Sequence, residues 1–336
     1  MGDSAASSVG NIGGINRIEY CRVGRVLTLH AIEMSFLAIV IALILEQVRP
    51  LAQQRFVREP LTRYARQLED WFNDGQRLHG AIAWLAALLP PLLLLLILQF
   101  SLAQWQPLLL LPFNVVVLYV TMGFRQFSHH FTDTHLALRM GDLEQARALV
   151  GAWRGRSAER MSSQELARVA IEEAMLASHH HVFAPMFCFM IFGPAGAMLY
   201  RLALFFRDQW GGEEFGAFGE TTRRAFAAID WLPLRCTAAA FAMVGNFEDA
   251  VYCWRTQGTG WPDQSSGILL ASGAGAIGVR LGQPVHEVAG ISERPELGSG
   301  DDADADFMQS AIGLVWRSLV LCVLLFALFS VASWVG

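Results

Sequence analysis

The chain has no lysine, so all 25 of its basic residues are arginine. A catalytic Schiff base, a pyridoxal phosphate anchor and a Walker-type phosphate loop each need a lysine, and all three are therefore excluded. Any phosphate or carboxylate that the protein binds must be held by arginine, by backbone amides or by a metal ion.

Charged residues are also scarce, at 16% of a 336-residue chain that is 54% hydrophobic. The net charge is only −5, with acidic residues and arginines interleaved, so nothing indicates a nucleic-acid partner. The five cysteines show no CxxC spacing, which argues against a disulfide framework or a cysteine-based zinc site. Such a composition predicts a membrane protein rather than a soluble domain.

Apolar segments predict an all-α fold, that of a polytopic integral membrane protein with amphipathic cytoplasmic helices. Residues 1–25 predict a flexible tail, and residues 26–336 are expected to form a single membrane domain. The run 229–245 is more amphipathic and either lies in the membrane interface or is buried. The candidate membrane segments span residues 26–45, 81–98, 107–120, 182–200, 229–245 and 313–335.

Arginines concentrate in two of the connections between these segments. Six lie between Gln47 and Gly80, and seven lie between Arg125 and His181. Because basic residues are retained on the cytoplasmic side, the loops 47–80 and 125–181 are both expected in the cytoplasm, with an uncharged turn at 99–106 outside.

Two amphipathic helices are predicted within the second cytoplasmic connection. Asp142 is expected to cap the first, and Ser162 with Glu165 fits a capping box that opens the second. Further along, the stretch 258–306 is rich in Gly, Pro and Ser, which indicates loops and short helices rather than a membrane segment.

Glycines at 273, 275 and 278 superficially match a dinucleotide-binding glycine run. The sequence around them lacks a convincing preceding strand and the βαβ setting that such a site needs. Close packing of helices through small residues is therefore the favoured interpretation.

Histidines form two clusters beside predicted membrane segments, one within residues 129–135 and one at His179, His180 and His181. Imidazoles and a carboxylate are a workable ligand set for a transition metal. The predicted metal ligands are His179 and His181, although consecutive histidines on a helix cannot all point the same way. The alternative is that these histidines are polar residues of the membrane interface.

A series of short motifs runs through the chain from residue 141 to residue 298. They are Gly141-Asp142-Leu143-Glu144, Arg168-Val169-Ala170-Ile171-Glu172, Ala184-Pro185-Met186-Phe187, Phe192-Gly193-Pro194-Ala195-Gly196, Asp230-Trp231-Leu232-Pro233-Leu234-Arg235, Ser266-Gly267, Gly278-Val279-Arg280-Leu281-Gly282 and Glu293-Arg294-Pro295-Glu296-Leu297-Gly298. In this order and spacing, the chain resembles the CobD/CbiB family of membrane proteins, the adenosylcobinamide-phosphate synthases of cobalamin biosynthesis, with affinity to the related AmpE branch. The resemblance spans roughly residues 36–330.

This resemblance implies a reaction, a location and a set of site residues. The reaction is ATP-dependent formation of an amide bond between a corrinoid carboxylate and an amino-alcohol phosphate, with ATP and Mg²⁺ as implied cofactors. The location is the bacterial inner membrane, where the implied partners are the lipid bilayer and a corrinoid or another amphipathic small molecule. The implied catalytic residues are Glu172, Asp230 and Arg235, and the implied substrate-binding residues are Arg156, Arg168, Gly267 and Arg280.

The sequence departs from the family pattern at several acidic positions. Where the family has Ala-Glu-Asn and then Asp-Gly, this chain has the segments 175–177 and 180–181, which read Met-Leu-Ala and His-His. The Asn and Asp expected after Tyr200 are Leu204 and Arg207. If the missing groups hold metal or phosphate, their loss costs orders of magnitude in activity. The alternative function is therefore a non-enzymatic, AmpE-like inner-membrane sensor that has lost the catalytic acidic residues.

Overall fold

Helices account for most of the protein in a computed structural model that describes residues 35–48, 58–288 and 290–335. The predicted tail at 1–25 and the first part of the segment 26–45 lie outside the described residues. The helices are α1 (Ser35–Val48), α2 (Glu59–Phe72), α3 (Arg77–Trp105), α4 (Leu110–Thr121), α5 (Phe124–Arg139), α6 (Leu143–Arg154), α7 (Ser163–Ser178), α8 (Ala184–Trp210), α9 (Gly216–Val244), α10 (Phe247–Gln257), α11 (Gln264–Ile277) and α12 (Ala305–Val335).

The helix α3 shows why the fold belongs in a membrane. Its 29 residues extend about 43 Å, more than the roughly 30 Å of a bilayer's hydrocarbon core. Only 22% of its apolar window is buried inside the protein, and side chains such as Leu94 and Phe100 are exposed. Exposure of so much apolar surface to water is strongly unfavourable, whereas contact with lipid chains is not.

Among the residues that the structure describes, four helical stretches are long and apolar enough to cross a membrane: Arg77–Trp105, Ser163–Trp210, Glu213–Val244 and Ala305–Ala332. The all-α, polytopic membrane fold is thus confirmed. The segment predicted at 229–245 lies within α9, which begins at Gly216, and the segment predicted at 313–335 lies within α12, which begins at Ala305. Both helices are longer than predicted because polar residues continue them beyond the apolar run.

The turn between α3 and α4 lies later than predicted. We expected it over 99–106, but α3 continues to Trp105, since this stretch contains neither glycine nor proline. The chain turns at Gln106, where Pro107 opens a short 3₁₀ turn. The helix α4 then has only 12 residues, or about 18 Å, which is shorter than the hydrocarbon core.

Breaks in two helical paths meet inside the bundle. The path from α4 to α5 is interrupted at Met122 and Gly123, and the path from α7 to α8 contains a π turn, His179–Phe183. The amide of Gly123 donates to the carbonyl of His181 at 3.2 Å. Each interruption therefore supplies the hydrogen-bond partner for a backbone group of the other. Irregular backbone is tolerated at membrane depth where protein surrounds it, and π turns frequently mark functional sites.

The predicted helix starts at Asp142 and Ser162 are confirmed. Asp142 accepts a hydrogen bond from the amide of Gln145, and Ser162 forms a full capping box with Glu165. Of the two helices, α7 is buried around most of its circumference, between α5, α6, α11 and α12. The main hydrophobic core surrounds it.

We expect Ser162→Ala to lower the free energy of unfolding by about 1 kcal/mol, because the amide of Glu165 loses its capping acceptor. Ser163→Ala is the matched control, since Ser163 is exposed in the first turn of α7 and supplies no cap. Thermal denaturation of both variants in detergent measures the difference. Equal losses in the two variants would contradict the assignment.

The stretch 258–306 combines a buried helix with short strands. The helix α11 packs closely through glycine, as expected: a Cβ on Gly273 would lie 2.6 Å from the Met175 sulfur, and one on Gly275 would lie 2.6 Å from the carbonyl of Asp249. The strand β1 (Val279–Gly282) pairs with β4 (Glu296–Leu297) and β5 (Asp301–Asp302), and β2 (Val285–Glu287) pairs with β3 (Gly290–Ser292).

Candidate functional site

Charged side chains of α7 meet the turn between β1 and β2 in what we call the arginine–glutamate cluster: Arg168, Glu172, Gln283 and Arg294. Glu172 accepts a hydrogen bond from the amide of Gly282 at 2.8 Å and one from Arg294 Nη1 at 2.6 Å. The side chains of Glu172 and Arg294 are only 6% and 14% exposed. The carboxylate therefore couples α7 to the β1–β2 turn through a buried ion pair.

The same cluster holds the β1–β2 turn in an uncommon conformation. Gln283 has φ of +60°, which a residue other than glycine rarely adopts. Arg168 donates to the Gln283 side chain at 2.5 Å and to the carbonyl of Pro284 at 2.8 Å, and Arg294 donates to the carbonyl of Gln283 at 3.2 Å. Backbone strain held by several side-chain contacts is typical of functional sites.

Three arginines around this turn retain buried N–H groups that meet no acceptor among the described residues. They are Arg168 Nε, Arg280 Nε and Arg154 Nη1. A buried, charged donor without a partner is costly, so each such group needs an explanation. Guanidinium groups bind carboxylate and phosphate oxygens well, and an oxyanion ligand would satisfy these donors.

A second polar group, the histidine–aspartate chain, lies where the π turn contacts α9. It consists of Thr237, His179, Asp230 and Tyr200. His179 Nδ1 lies 2.9 Å from the Thr237 hydroxyl, His179 Nε2 lies 2.8 Å from Asp230 Oδ1, and the Tyr200 hydroxyl donates to Asp230 Oδ1 at 2.8 Å. All four residues are buried, and His179 and Tyr200 fully so.

Helical spacing places both groups on one face of the path formed by α7 and the π turn that follows it. Arg168, Glu172 and His179 are separated by four and then seven residues, which brings them onto the same stripe of a helix. Glu172 and His179 are about 10 Å apart along its axis. The central helix α7 therefore contributes to the arginine–glutamate cluster, and the π turn at its end contributes His179 to the histidine–aspartate chain.

The predicted catalytic residues fall in three different places. Glu172 belongs to the arginine–glutamate cluster, and Asp230 belongs to the histidine–aspartate chain. Arg235 lies in neither group: it is half-buried, sits 4.2 Å over the ring of Trp231 and donates to the Trp231 carbonyl. Such a stacked pair of arginine and tryptophan is typical of a membrane interface.

The predicted substrate-binding residues are also dispersed. Arg168 lies in the arginine–glutamate cluster, and Arg280 pairs with Asp302 at 3.0 Å beside it. Arg156 lines an open groove of about 450 Å³ between α6 and the loop that follows. Gly267 permits close packing, since a Cβ there would lie 2.4 Å from the carbonyl oxygen of Gly258.

The histidines pair differently from the prediction of His179 with His181. His181 Nδ1 contacts the guanidinium of Arg201. Ligand atoms of His179, His180 and Asp230 instead lie within 4.8 Å of one another. His179 and His180 are consecutive residues of the π turn, and their ring centroids are 5.2 Å apart.

Sequence reasoning did not single out Arg294, Gln283, Tyr200 and Thr237 as site residues. Arg294 lies within a quoted motif, and Tyr200 marked the start of a departure from the family pattern, so both positions carried a signal. Gln283 and Thr237 carried none, because their partners are 115 and 58 residues away in the sequence.

Cys253 is the cysteine next to the C-terminal strands, with its sulfur 3.8 Å from the Ser299 hydroxyl. Burial raises the pKa of its thiol. The thiol therefore stays protonated at neutral pH, which excludes it as an activated nucleophile.

Fold and site together define a class of protein: a polytopic helical membrane protein whose central helix joins a buried arginine–carboxylate cluster to a strained turn. The family model described as CobD/Cbib protein matches residues 36–315. The chain belongs to the CobD/CbiB family.

Two relatives are similar over most of their length, and both are described as cobalamin biosynthesis protein CobD. The protein of Stutzerimonas stutzeri is 33% identical over 304 residues, which covers 87% of this chain and 97% of the relative. The protein of Chromobacterium violaceum is 35% identical over 251 residues, which covers 73% and 78%. No solved structure matches the chain. The expected affinity to the AmpE branch stays a prediction.

Proposed function

We propose that this protein acts in cobalamin biosynthesis as an amide-forming synthase at the bacterial inner membrane. It condenses a corrinoid carboxylate with the amine of an amino-alcohol phosphate, at the expense of ATP. Support comes from membership of the CobD/CbiB family and from the name that the two relatives share.

The observation that carries this proposal is the unpaired Nε–H of Arg168. Arg168 is only 8% exposed, and its two other guanidinium nitrogens hold the β1–β2 turn. All substrates of the proposed reaction are anions bearing carboxylate or phosphate oxygens. A buried guanidinium with one donor left over is suited to bind such an oxygen and fix its orientation.

Each member of the cluster then has a defined task. Arg168 binds a substrate oxyanion, and the arginines at 154 and 280 add positive charge around it. Glu172 is a positioning residue, because both of its oxygens are already engaged by Gly282 and Arg294. The amine nitrogen attacks the activated carboxyl carbon, a C–N bond forms, and the activated oxygen leaves with the phosphoryl group that ATP supplied.

The arginine-rich donor set fits the phosphates of ATP better than it fits a bare Mg²⁺ ion. Mg²⁺ prefers carboxylate and water oxygens, whereas the carboxylates of Glu165 and Glu172 are each engaged by hydrogen bonds from the β1–β3 region. ATP supplies the activation of the carboxylate, and Mg²⁺ would be carried on its phosphates. Arg168 and Arg280 would hold the phosphate oxygens.

The proposed orientation puts the loops 47–80 and 125–181 in the cytoplasm. The helix α7 then lies on the cytoplasmic side with its capped start, and the path that continues it through α8 enters the membrane. An amphipathic corrinoid could approach the cluster from the bilayer surface while ATP reaches it from the cytoplasm.

The test is rescue of a bacterial strain that lacks its cobinamide-phosphate synthase, scored as growth on cobyric acid where cobalamin is essential. We expect rescue by the wild type and at least a tenfold loss of activity in Arg168→Gln, because the substrate oxyanion loses its buried donor. Arg224→Gln is the matched control, since Arg224 is an exposed arginine in a surface ion pair with Glu220. Membrane insertion is verified by immunoblotting of membrane fractions.

Failure of the inserted wild type to rescue growth would contradict the synthase and favour the AmpE-like sensor. Rescue by both variants to the same extent would show that the anion lies elsewhere. In purified protein, inorganic phosphate should inhibit product formation competitively, and this inhibition should weaken in Arg168→Gln but not in Arg224→Gln.

A further inference from the structure

The hydrogen bonds of the histidine–aspartate chain place two acceptors face to face. The Thr237 hydroxyl donates to the carbonyl of Pro233 at 3.1 Å, so it accepts from His179, which must carry its proton on Nδ1. In the neutral ring, Nε2 then has only a lone pair, directed at Asp230 Oδ1 2.8 Å away. Two lone pairs at this distance repel unless a cation lies between them.

The ring of His180 adds a third ligand at the same place. Within the described part of the chain it touches the rings of His179 and Phe226, at centroid distances of 5.2 and 6.0 Å, and makes no hydrogen bond. A ring nitrogen of His180, Nε2 of His179 and a carboxylate oxygen of Asp230 all lie within 4.8 Å of one another. Ligands about 2.0–2.2 Å from a shared ion are separated by about 3–3.6 Å, so small side-chain shifts suffice.

We propose that His179, His180 and Asp230 bind a borderline divalent cation of the first transition row, such as Zn²⁺, inside the helical bundle. The cation lies between the two facing acceptors and gives the His180 ring its polar partner. This site is separate from the arginine–glutamate cluster, and the inference does not depend on the proposed synthase activity.

Two neighbouring hydroxyl groups hold the ligands as the outer residues of a metal site do. Thr237 fixes the tautomer of His179 from the opposite ring nitrogen, and Tyr200 orients the carboxylate of Asp230 by donating to it. Two imidazoles and one carboxylate suit Zn²⁺ or Co²⁺, whereas Mg²⁺ demands an octahedron of oxygens. A tetrahedral ion held by these three side chains would take one further ligand, such as a water molecule.

The experiment measures metal bound to the full chain, purified in detergent, stripped with a chelator and reloaded with Zn²⁺ or Co²⁺. After desalting, we expect near-stoichiometric metal in the wild type, visible Co²⁺ absorption bands, and no displacement by a large excess of Mg²⁺. His180→Ala should lose at least tenfold in affinity. His181→Ala should bind like the wild type, because His181 contacts Arg201 instead.

The melting temperatures of the metal-free proteins are the control for correct folding. His180→Ala and His181→Ala should melt alike without metal, and only His181→Ala and the wild type should be stabilised by added Zn²⁺. Asp230→Asn, which preserves the size of the side chain, should also lose the stabilisation. The proposal would be overturned if the wild type bound no metal, or if the two histidine variants lost metal equally. A proton shared between His179 and Asp230 would then take the place of the cation.

Discussion

Glu172→Gln is expected to abolish complementation and to lower the free energy of unfolding by about 3–5 kcal/mol. The variant keeps an acceptor for the amide of Gly282 but leaves the Arg294 guanidinium buried without its counter-charge. Thermal and chemical denaturation in detergent measure the loss of stability. Glu220→Gln is the control, because its partners Arg77 and Arg224 are largely exposed and such pairs contribute about 1 kcal/mol or less.

A double variant separates stability from function at this pair. Glu172→Gln combined with Arg294→Gln removes both buried charges, so most of the lost stability should return. Complementation should not return, since Arg294 no longer holds the carbonyls of Gly282 and Gln283. Growth of the double variant at the wild-type rate would show that Glu172 has no positioning role in the reaction.

Local patterns in the sequence predicted the parts of the fold that local physics determines. The capping box at Ser162 and Glu165 was recognisable because its residues are three positions apart. The apolar run 81–98 identified α3 because the bilayer imposes length and composition directly on the chain. The end of α3 was harder to predict, since no residue of 99–105 breaks a helix.

The candidate sites were predictable only in part, because both are built from distant pieces of the chain. Glu172 and Asp230 were reached through short motifs that resemble a family. The contact of Glu172 with Arg294 spans 122 residues, and no periodicity encodes such a pairing. The π turn at 179–183 likewise has no signal in composition, and it contains His179, whose ring contacts Asp230.

Gly282→Ala adds a single methyl group. We expect this group to disrupt the arginine–glutamate cluster more than a methyl group added at any other position there. Gly282 has φ of +72°, and a Cβ would lie 2.0 Å from the carbonyl oxygen of Pro295, closer than any real contact. The left-handed conformation costs an alanine about 1–2 kcal/mol, and the clash adds about 1–3 kcal/mol. Denaturation in detergent should therefore show a loss of about 2–5 kcal/mol.

Gly75→Ala measures the conformational part of this effect alone, so its difference from Gly282→Ala gives the steric part. Gly75 has a similar φ of +80°, but a Cβ there meets nothing within 4 Å, so only the conformational cost of about 1–2 kcal/mol applies. Gly282→Ala should also displace the amide that binds Glu172 and the carbonyl that binds Arg294, so complementation should fall sharply. Gly75→Ala should complement like the wild type. Equal stability and growth in the two variants would contradict this expectation. The β1–β2 turn would then accommodate the added Cβ without displacing Arg168 and Glu172, and its strained geometry would not position the substrate.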